Sequence, residues 1–546
     1  MKRFCLVINV LFLLIPFCLF ASPFNMILVG DPTLDDLRYL SLESGKPFLS
    51  FTPPLSSYEI EQYLSSLDIS LLTPPAREAY DRIVSRFNPE SRVNFSIEYF
   101  DFHLNLNSTL ELTTRFNSDI SWEPIRTRPP AFVSLPMSLF FGNSVLLYIE
   151  PAIALSPQYY MNDLHMKNAG INIPLEVNKF DLSTPNRAFI AVGGPWWSFQ
   201  LGRDRLSFGT GQTGNLNISD NPDYHDFARL SLFSRVIKYS VLVSQMPLDI
   251  RNLMEVPPGA EYTRTMHRYY YLHRLDLNLF NRLSVGIMEG ALIGNSPLEL
   301  RFLNPLIIFH QLYSWWNYDY WRAANDRGHN VGSSLSIELN WNIIESLAFY
   351  GQFFLNEYST SHEAKLIPVQ PPNGLGYLGG LRYTHSFDTW VSSYFLEFIY
   401  TDPYLYMTST PFASFIHMRY YSMAANRIQY THLGYARDTI ALTLGADFYN
   451  RDRLNLGGVF SWISRGEHNK DGLKWTWEES EAAFMESTPT GIAENRFIFS
   501  FTAGWRVNQY LVLNGSLAGI FTGNNRHESG SGAAGGQAAL SLNFSY

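Results

Sequence analysis

The sequence is nearly free of cysteine: Cys5 and Cys18 are the 2 cysteines among 546 residues. Both lie in residues 1–21, where a basic start, an apolar run and a small residue at Ala21 predict a cleaved signal peptide. The remaining chain would then contain no thiol. This excludes disulfide bonds, thiolate catalysis and cysteine-ligated metal sites, so the fold must be held by its core or by a membrane.

Charged residues are also scarce. They make up 16% of the chain, against about 25% in ordinary soluble domains, whereas aromatic residues reach 15%. After residue 21 no run of about 20 apolar residues remains, so the sequence offers no further membrane-spanning helix. Only helices and closed barrels satisfy every backbone group inside lipid, and the composition therefore favours a membrane barrel. The formal net charge of -9 argues against nucleic acid as a partner.

Residues 22–90 are predicted to form a small helical domain in the periplasm. Apolar residues at helical spacing mark three segments, which begin near Thr33, Ser57 and Thr73. Ser57 is the expected cap of the second helix, and Pro74 suits the first turn of the third.

From residue 91 to residue 546 the hydrophobic period changes from that of a helix to that of a strand. Apolar and polar residues alternate, for example, in residues 93–99, 440–448 and 497–502. A series of such segments is typical of a transmembrane barrel. We therefore predict an all-β fold, an antiparallel outer-membrane β-barrel of about 18 strands, with roughly 16 to 20 as the range.

The chain ends in a strand that resembles the recognition signal of outer-membrane barrels. Leu540, Leu542, Phe544 and Tyr546 share one face, and small polar residues share the other. We expect the barrel assembly machinery to recognise these four residues and outer-membrane lipid to surround the barrel. The expected location is the bacterial outer membrane, and the expected oligomeric state is a monomer.

The sequence contains no common catalytic motif. A G-x-S-x-G elbow, an H-E-x-x-H helix and a G-x-x-x-x-G-K-[ST] loop are all missing, so we predict a protein that is not an enzyme and has no cofactor. Asp220, Asp223, His225 and Asp226 lie close together, and the three carboxylates offer oxygen ligands for a cation. The segment lacks the glycine and the final glutamate of a calcium-binding loop, which favours a solvated acidic loop without metal.

The densest polar segment spans residues 202–221. Arg203 and Arg205 share one face of a strand, and because arginine beside lipid is costly, we expect both to face the lumen and Asp204 to face the other way. Two interpretations remain open. The charges form either a structural network that holds a plug segment or a site for a polar or anionic ligand, which arginine binds in a bidentate manner.

Aromatic residues crowd a second segment, around Trp315 and Trp316. Their ring faces can stack against the sugar rings of a surface polysaccharide. The alternative is the aromatic girdle that membrane proteins place at both lipid–water interfaces.

Four segments occur in the order found in one known family. They are LGRDRLSFGTGQTGNLNISDNPDYHDFARLSL (201–232), LHRLDLNLFNRLSVGIMEG (272–290), LRFLNPLIIFHQ (300–311) and HLGYARDTIALTLGADF (432–448). Together they resemble the Wzi-like capsule assembly proteins. The resemblance implies an outer-membrane barrel with helices at its N-terminus, which binds capsular or other surface polysaccharide and helps to organise it without covalent chemistry.

The positions that match family motifs, together with the aromatic pair, are the candidate ligand-binding residues: Arg203, Asp204, Arg205, Ser219, Asp220, Asn221, Arg229, Glu289, Asn304, His310, Trp315 and Trp316. Two other functions remain open. A porin or substrate-specific channel would also have arginine and aspartate residues in its lumen. An outer-membrane hydrolase would need paired catalytic groups near the outer rim, and the sequence alone pairs none.

Overall fold

The computed structural model describes most of the chain in two parts, a helical domain up to residue 87 and a β-sheet from residue 93. The described residues are 24–87, 93–97, 99–117, 120, 129–156, 169–182, 185–248, 267–294, 296–309, 331–358, 372–408, 413–422, 425–432, 434–450, 453–468 and 486–546. For residues 420–422 and 425–429 the description covers the backbone alone. The predicted signal peptide lies outside the described residues.

Three α-helices and a two-stranded sheet form the N-terminal domain. The elements are β1 (Met26–Ile27), α1 (Thr33–Glu43), β2 (Leu55–Ser56), α2 (Ser57–Leu64) and α3 (Pro74–Phe87). The apolar stripes of the helices meet in one core, whose fully buried members include Leu37, Leu40, Ile60, Ala76, Ala79 and Ile83. None of the helices in the described ranges is long and apolar enough to pass through a bilayer.

The cap of α2 is Ser56, one residue before the Ser57 expected from the sequence. The Ser56 hydroxyl accepts the N–H of Tyr58, and the Glu59 carboxylate accepts the N–H of Ser56, which completes a capping box. The Ser57 hydroxyl instead accepts the N–H of Asn25, just before β1. Ser56 therefore caps α2, and Ser57 holds the residue that precedes β1.

The remaining chain is built from antiparallel strands. The first are β3 (Val93–Ile97), β4 (Phe100–Leu104), β5 (Asn107–Phe116), β6 (Val133–Ser134), β7 (Met137–Phe141), β8 (Val145–Ile149), β9 (Ala152–Ile153), β10 (Ala169–Ile171), β11 (Ala188–Gly194) and β12 (Trp197–Asp204). The next are β13 (His225–Phe233), β14 (Ile237–Gln245), β15 (Arg268–Leu279), β16 (Leu283–Gly294), β17 (Val331–Ile344), β18 (Leu347–Glu357), β19 (Gly374–Phe387) and β20 (Trp390–Thr401). The last are β21 (Ile416–Ser422), β22 (Ala425–Tyr430), β23 (Thr439–Asn450), β24 (Leu454–Arg465), β25 (Glu494–Arg506), β26 (Leu511–Gly523) and β27 (Gly532–Ser545).

The strand pairing closes on itself. β27 pairs with β26 on one side and with β5 on the other, and β11 pairs with β8. Within the described residues, β4 with β5, β6 with β7, and β8 with β9 form three interrupted strands, which with β11 to β20 and β23 to β27 make a ring of 18 strands. The prediction of an antiparallel barrel of about 18 strands is confirmed.

Side-chain alternation separates the two faces of the barrel wall. On β27, Leu540, Leu542 and Phe544 point outward and are 51%, 40% and 36% exposed, whereas Ala539 and Ser541 point inward and are buried. An apolar outer face and a small, polar inner face are what a wall surrounded by lipid requires.

The two ends of the barrel differ in their connections. At one end, here called the turn end, strands are joined by tight turns such as residues 280–282 and 345–346. At the other, the loop end, the connections are long. The N-terminal domain packs against the turn end, where Ser346 N–H donates to Leu42 O at 2.9 Å and Asn342 Nδ2 donates to Ser41 O at 2.6 Å.

Removing residues 544–546 is expected to reduce the fraction of folded barrel. The backbones of Tyr546 and Leu106 exchange two hydrogen bonds of 2.8 Å, and Phe544 pairs with Leu511 and Ser108. Without these contacts the ring leaves an unpaired strand edge. Heat-modifiability on gels measures the folded fraction, and the conservative variant Phe544→Leu serves as the control. Equal folding of the truncated and full-length chains would contradict this prediction.

Candidate functional site

Two long connections at the loop end fold into the lumen. The first, residues 205–224, and the described part of the second, within residues 402–438, share one buried core. The apolar side chains that the two connections bury in the lumen include Leu206, Phe208, Leu216, Ile218, Leu405, Tyr406, Phe415 and Tyr435. The loop end of the barrel is therefore filled by its own connections.

A segment of the N-terminal domain enters the lumen from the turn end. Residues 48–56 reach the first inward connection, where Gly209 N–H donates to Phe51 O at 2.8 Å and Ser207 N–H donates to Pro53 O at 3.3 Å. Residues 48–56 and 205–224 thus form one continuous column inside the barrel, here called the central column. It occupies the lumen from both ends.

Polar side chains on the inner wall hold the central column. Glu397 of β20 accepts the N–H groups of Gln212 at 2.7 Å and Thr213 at 3.0 Å, and the Tyr350 hydroxyl at 3.0 Å. Gln352 of β18 accepts the N–H of Leu216 at 2.8 Å. These bonds satisfy backbone groups that would otherwise be buried without partners.

The second connection is fixed by an arginine and a tyrosine. Arg268 at the start of β15 donates to Ser414 O at 2.9 Å and to Ile416 O. The Tyr406 hydroxyl donates to Leu216 O at 2.7 Å, which joins the two inward connections. The two inward connections are therefore parts of one packed unit.

A cluster of arginines and carboxylates lies at the loop end of β12 and β13. Arg203 forms a bidentate pair with Asp226 at 2.8 and 3.1 Å, and Arg205 pairs with Asp220 at 2.7 Å. The Arg203 guanidinium stacks on the ring of Tyr224 at 3.8 Å. We call these five residues the rim cluster. Both ion pairs are partly exposed, so they remain within reach of a ligand.

Tyr224 connects the rim cluster to the buried interior. The Arg419 guanidinium lies over the ring of Tyr224 at 5.1 Å, and Arg203 contacts the same ring. Arg419 also pairs with Asp181 at 3.0 Å and with Asp223. Burial raises the pKa of the Tyr224 phenol, and the two nearby guanidiniums oppose this shift. The phenol stays neutral at physiological pH and can act as a hydrogen-bond donor.

The prediction that Arg203 faces the lumen is wrong. Arg203 pairs across the sheet with Asp226 and shares its face with the exposed, outward-facing Leu201. Asp204 points inward instead, is fully buried, and pairs with Arg187 at 3.1 Å. An outward arginine is tolerated here because it lies one residue from the end of β12, at the edge of the wall, and is paired with Asp226.

Arg205 does not face the lumen from the strand either. It follows the end of β12, in the first inward connection, where it binds Asp220. Asp220, Asp223 and Asp226 each pair with a different arginine, which explains their proximity without a cation. Within the described residues no group of three or more histidine, cysteine or acidic side chains is arranged to hold a metal ion.

Three other candidate residues act inside the protein rather than at its surface. Arg229 is buried and donates to Thr52 O at 2.8 Å and to Pro54 O, so it holds the central column. Ser219 is buried, with its N–H donating to Thr431 O at 2.7 Å, and Asn221 donates to His432 O. Ser219 and Asn221 thus fix the connection that carries Asp220, whereas Arg229 holds residues 48–56, and none of the three belongs to the rim cluster.

Glu289 and Asn304 lie far from the rim cluster, on the outer face of the barrel. Residues 296–309 leave the loop end and pack against the outside of β14 to β16, where Phe309 N–H donates to Glu289 Oε2 at 3.0 Å. Tyr239 Oη donates to Pro305 O at 2.6 Å, next to Asn304. The structure therefore separates this pair from Arg203 and Arg205. His310, Trp315 and Trp316 lie outside the described residues.

Sequence reasoning missed Tyr224 and Arg419 as parts of the site. Tyr224 stands within the acidic run SDNPDYHD, and an aromatic residue between carboxylates was an available signal. Arg419 is separated from Asp223 by 196 positions, and no local pattern links such residues.

The fold and the site define a class of protein: an outer-membrane β-barrel whose lumen is occupied by its own chain. The family model of the capsule assembly protein Wzi matches residues 124–519. The chain therefore belongs to the Wzi capsule assembly family, as its motifs indicated, and its location is the bacterial outer membrane.

A solved structure shares this fold over nearly its whole length. It is Wzi of Escherichia coli, described as an outer membrane protein involved in group 1 capsule assembly and as a carbohydrate-binding β-barrel. The two chains are 15% identical, the match covers 95% of this chain and 99% of that one, and the TM-score is 0.58. At this identity the likeness concerns the fold.

Two porin-type barrels match less well. OprD of Pseudomonas aeruginosa is 8% identical, with 84% of this chain and 96% of that chain covered and a TM-score of 0.42. A BenF-like porin of Pseudomonas fluorescens is 9% identical, with 82% and 99% covered and a TM-score of 0.39. These weaker matches carry no functional argument. A search of curated proteins finds no significant match.

Proposed function

We propose that this protein binds surface polysaccharide at the loop end of its barrel and helps to organise the polymer without catalysing a reaction. The rim cluster carries the proposal. It presents two partly exposed arginine–carboxylate pairs beside a tyrosine ring. Membership of the Wzi family and the carbohydrate binding described for the E. coli protein support the same ligand class.

The chemistry of the rim cluster suits a glycan. Arginine donates to hydroxyl and carboxylate oxygens, and carboxylates accept hydroxyl protons. The Tyr224 ring, on which Arg203 stacks at 3.8 Å, holds that guanidinium in position. The internal pairing of Arg203 with Asp226 and of Arg205 with Asp220 keeps these groups in place before a ligand arrives. Preorganisation lowers the entropic cost of binding.

This function requires the loop end to face the cell exterior. Short turns of bacterial outer-membrane barrels face the periplasm, so we place the turn end and the N-terminal domain there. Outer-membrane lipid then contacts the apolar outer face. The closing strand would be recognised by the barrel assembly machinery through Leu540, Leu542, Phe544 and Tyr546, and a closed ring without a free edge suits a monomer.

A substrate-specific channel is the second candidate, and one observation favours it. The inward-facing Asp447, Asn455 and Thr502 are exposed, so the central column leaves solvent-accessible space beside β23 to β25 at the turn end. The column nevertheless covers the loop end. Conductance distinguishes a sealed barrel from a channel.

Replacing Arg203 with alanine is expected to weaken polysaccharide binding by about tenfold or more, because hydrogen bonds to charged groups contribute about 1.5–3 kcal/mol. Binding of the purified full chain to an array of bacterial capsular polysaccharides measures the effect. Arg282→Ala, on a turn at the opposite end, is the matched control. Full binding by the Arg203→Ala variant would rule out the rim cluster as the site.

A second test addresses the whole protein. Deleting the gene and staining surface polysaccharide shows whether the polymer is retained on the cell. We expect retention to fall and the polymer to appear in the medium. Unchanged retention in a strain that makes such a polymer would contradict the proposed function.

A further inference from the structure

One segment of the chain lies on the outside of the barrel wall. Residues 296–309, here called the strap, follow β16 and pack against the outward face of β14, β15 and β16. Phe302 and Phe309 are fully buried in one cluster with Tyr271 of β15. Phe309 N–H also donates to Glu289 Oε2 at 3.0 Å. The strap therefore covers a part of the wall, including a carboxylate, that would otherwise face lipid.

Two hydrogen bonds fix how far the strap descends along the wall. Near the loop end, Glu299 N–H donates to Tyr271 Oη at 2.9 Å. Closer to the turn end, Tyr239 Oη donates to Pro305 O at 2.6 Å. Tyr239 pairs with Leu275, which follows Tyr271 on β15 by about 13 Å along the strand. The strap therefore runs down the wall toward the turn end and does not project from the loop end.

The depth that the strap reaches belongs to the apolar outer belt of the barrel. Leu275 pairs with Ile287, and Ile287 pairs with Ile337 on the next strand. Both isoleucines are exposed on the outward face. Apolar side chains on this face form the band that lipid surrounds in a transmembrane barrel. The lower part of the strap is therefore continuous with the lipid-facing wall.

The free side of the strap, which points away from the wall, is apolar. Leu300 and Leu306 are 78% and 90% exposed. The charged residues of the strap, Glu299 and Arg301, lie in its part nearer the loop end and pair with each other at 2.6 Å. Residues 302–309 carry no charge. The strap thus has its charges at the edge of the apolar belt and apolar side chains at the level of the belt, which is the distribution that a membrane favours.

The backbone of the strap also suits a place in lipid. In hydrocarbon an irregular segment has no water to bind its N–H groups and must satisfy them within the protein. Asn304 satisfies two of them, because its Oδ1 accepts the N–H of Leu306 at 3.1 Å and its carbonyl accepts the N–H of Ile307 at 3.3 Å. The strap residues whose N–H groups donate to the strap itself or to the wall are Glu299, Phe302, Asn304, Leu306, Ile307 and Phe309.

We propose that the free side of the strap binds the acyl chains of the membrane leaflet at the loop end. The partner is lipid hydrocarbon, because Leu306 lies at the level of the apolar belt and the strap continues that surface. The pair of Glu299 and Arg301 is directed toward the headgroups. In this position the strap separates Glu289 from the lipid, where a carboxylate is unfavourable. This surface is separate from the rim cluster.

Spin labels on single cysteines test this surface. In the full chain, Cys5→Ala and Cys18→Ala remove both native thiols, so that an introduced cysteine alone takes the nitroxide. The labelled variants are Leu300→Cys and Leu306→Cys on the strap, Leu517→Cys on the exposed outer face of β26 as the lipid standard, and Ser529→Cys in the exposed connection between β26 and β27 as the water standard. In phosphatidylcholine vesicles, electron paramagnetic resonance measures how often each nitroxide collides with oxygen, which concentrates in lipid, and with chromium oxalate, a charged complex that stays in water.

We expect the ratio of oxygen to chromium oxalate collisions at Leu306 to equal that at Leu517 and to exceed that at Ser529 about tenfold or more, because charged groups are excluded from hydrocarbon. The ratio at Leu300 is expected to lie between those at Leu306 and Ser529, since Leu300 is nearer the loop end. A ratio at Leu306 equal to that at Ser529 would place the strap in water and overturn the proposal. Rare collisions with both reagents, or dipolar broadening between labels, would show that a protein surface or a second copy covers the strap and would equally overturn it.

Discussion

Glu59→Gln is expected to lower the free energy of unfolding by about 3–5 kcal/mol, the usual cost of breaking a buried ion pair on one side. Glu59 and Lys238 form such a pair, with side chains 5% and 1% exposed, between α2 and the inner wall of β14. The buried Arg229 also lies near Glu59, so removing the carboxylate takes the strongest opposite charge from two buried cations, which keep only the weaker attraction of Asp204 and Asp276. Glutamine keeps the capping acceptor and the size of the side chain.

Lys238→Met is expected to lower the free energy of unfolding by less than Glu59→Gln does, because the buried Arg229 guanidinium remains near Glu59. Unfolding by guanidinium in detergent, followed by tryptophan fluorescence, measures the difference. Asp35→Asn removes an exposed carboxylate paired with Arg38 in the same domain and is the control, with an expected effect below about 1 kcal/mol. An effect of Glu59→Gln no larger than that of the control would show that the pair does not hold the N-terminal domain in the barrel.

Replacing residues 209–217 with a short Gly-Ser-Gly linker is expected to turn a closed barrel into a pore. These residues form the part of the central column that Glu397 and Gln352 hold against the wall. Beside β23 to β25 the lumen already contains exposed inward residues, so removing the column at the loop end connects that space to the exterior. Discrete single-channel openings in a planar bilayer measure the change.

The full chain is expected to give no discrete openings in the same bilayers. The control shortens the connection between β26 and β27 at residues 525–530, which lies outside the central column. Openings in the full chain would favour the channel function. A closed barrel in the 209–217 variant would show that residues other than the column seal the lumen.

The class of fold was available from the sequence because its signals are local. The switch from helical to alternating spacing near residue 91 depends on neighbouring residues, and it predicted both the N-terminal helices and the strands. The number of strands followed from a rough count of the alternating segments and from the even strand number that single-chain bacterial barrels favour. The family motifs around residues 201–232 are likewise continuous in sequence.

The arrangement of the site could not be predicted from local sequence patterns. Whether Arg203 points in or out depends on the register and the depth of β12, and one residue of shift exchanges the two faces. The rule that keeps arginine from lipid holds at the centre of a membrane, whereas Arg203 lies near the end of its strand, where Asp226 pairs with it. The expected inward direction therefore reversed for Arg203 and Asp204.

Sequence alone determined that this chain is a cysteine-poor outer-membrane barrel with a helical start, because periodicity and composition are properties of adjacent residues. The tertiary structure decided that the connections fold inward, that Arg229 and Glu59 bind the central column, and that Glu289 lies on the outer face of the barrel wall. These results depend on contacts such as Thr213 with Glu397, which are 184 positions apart. Such contacts form only when the ring closes, so no local pattern predicts them.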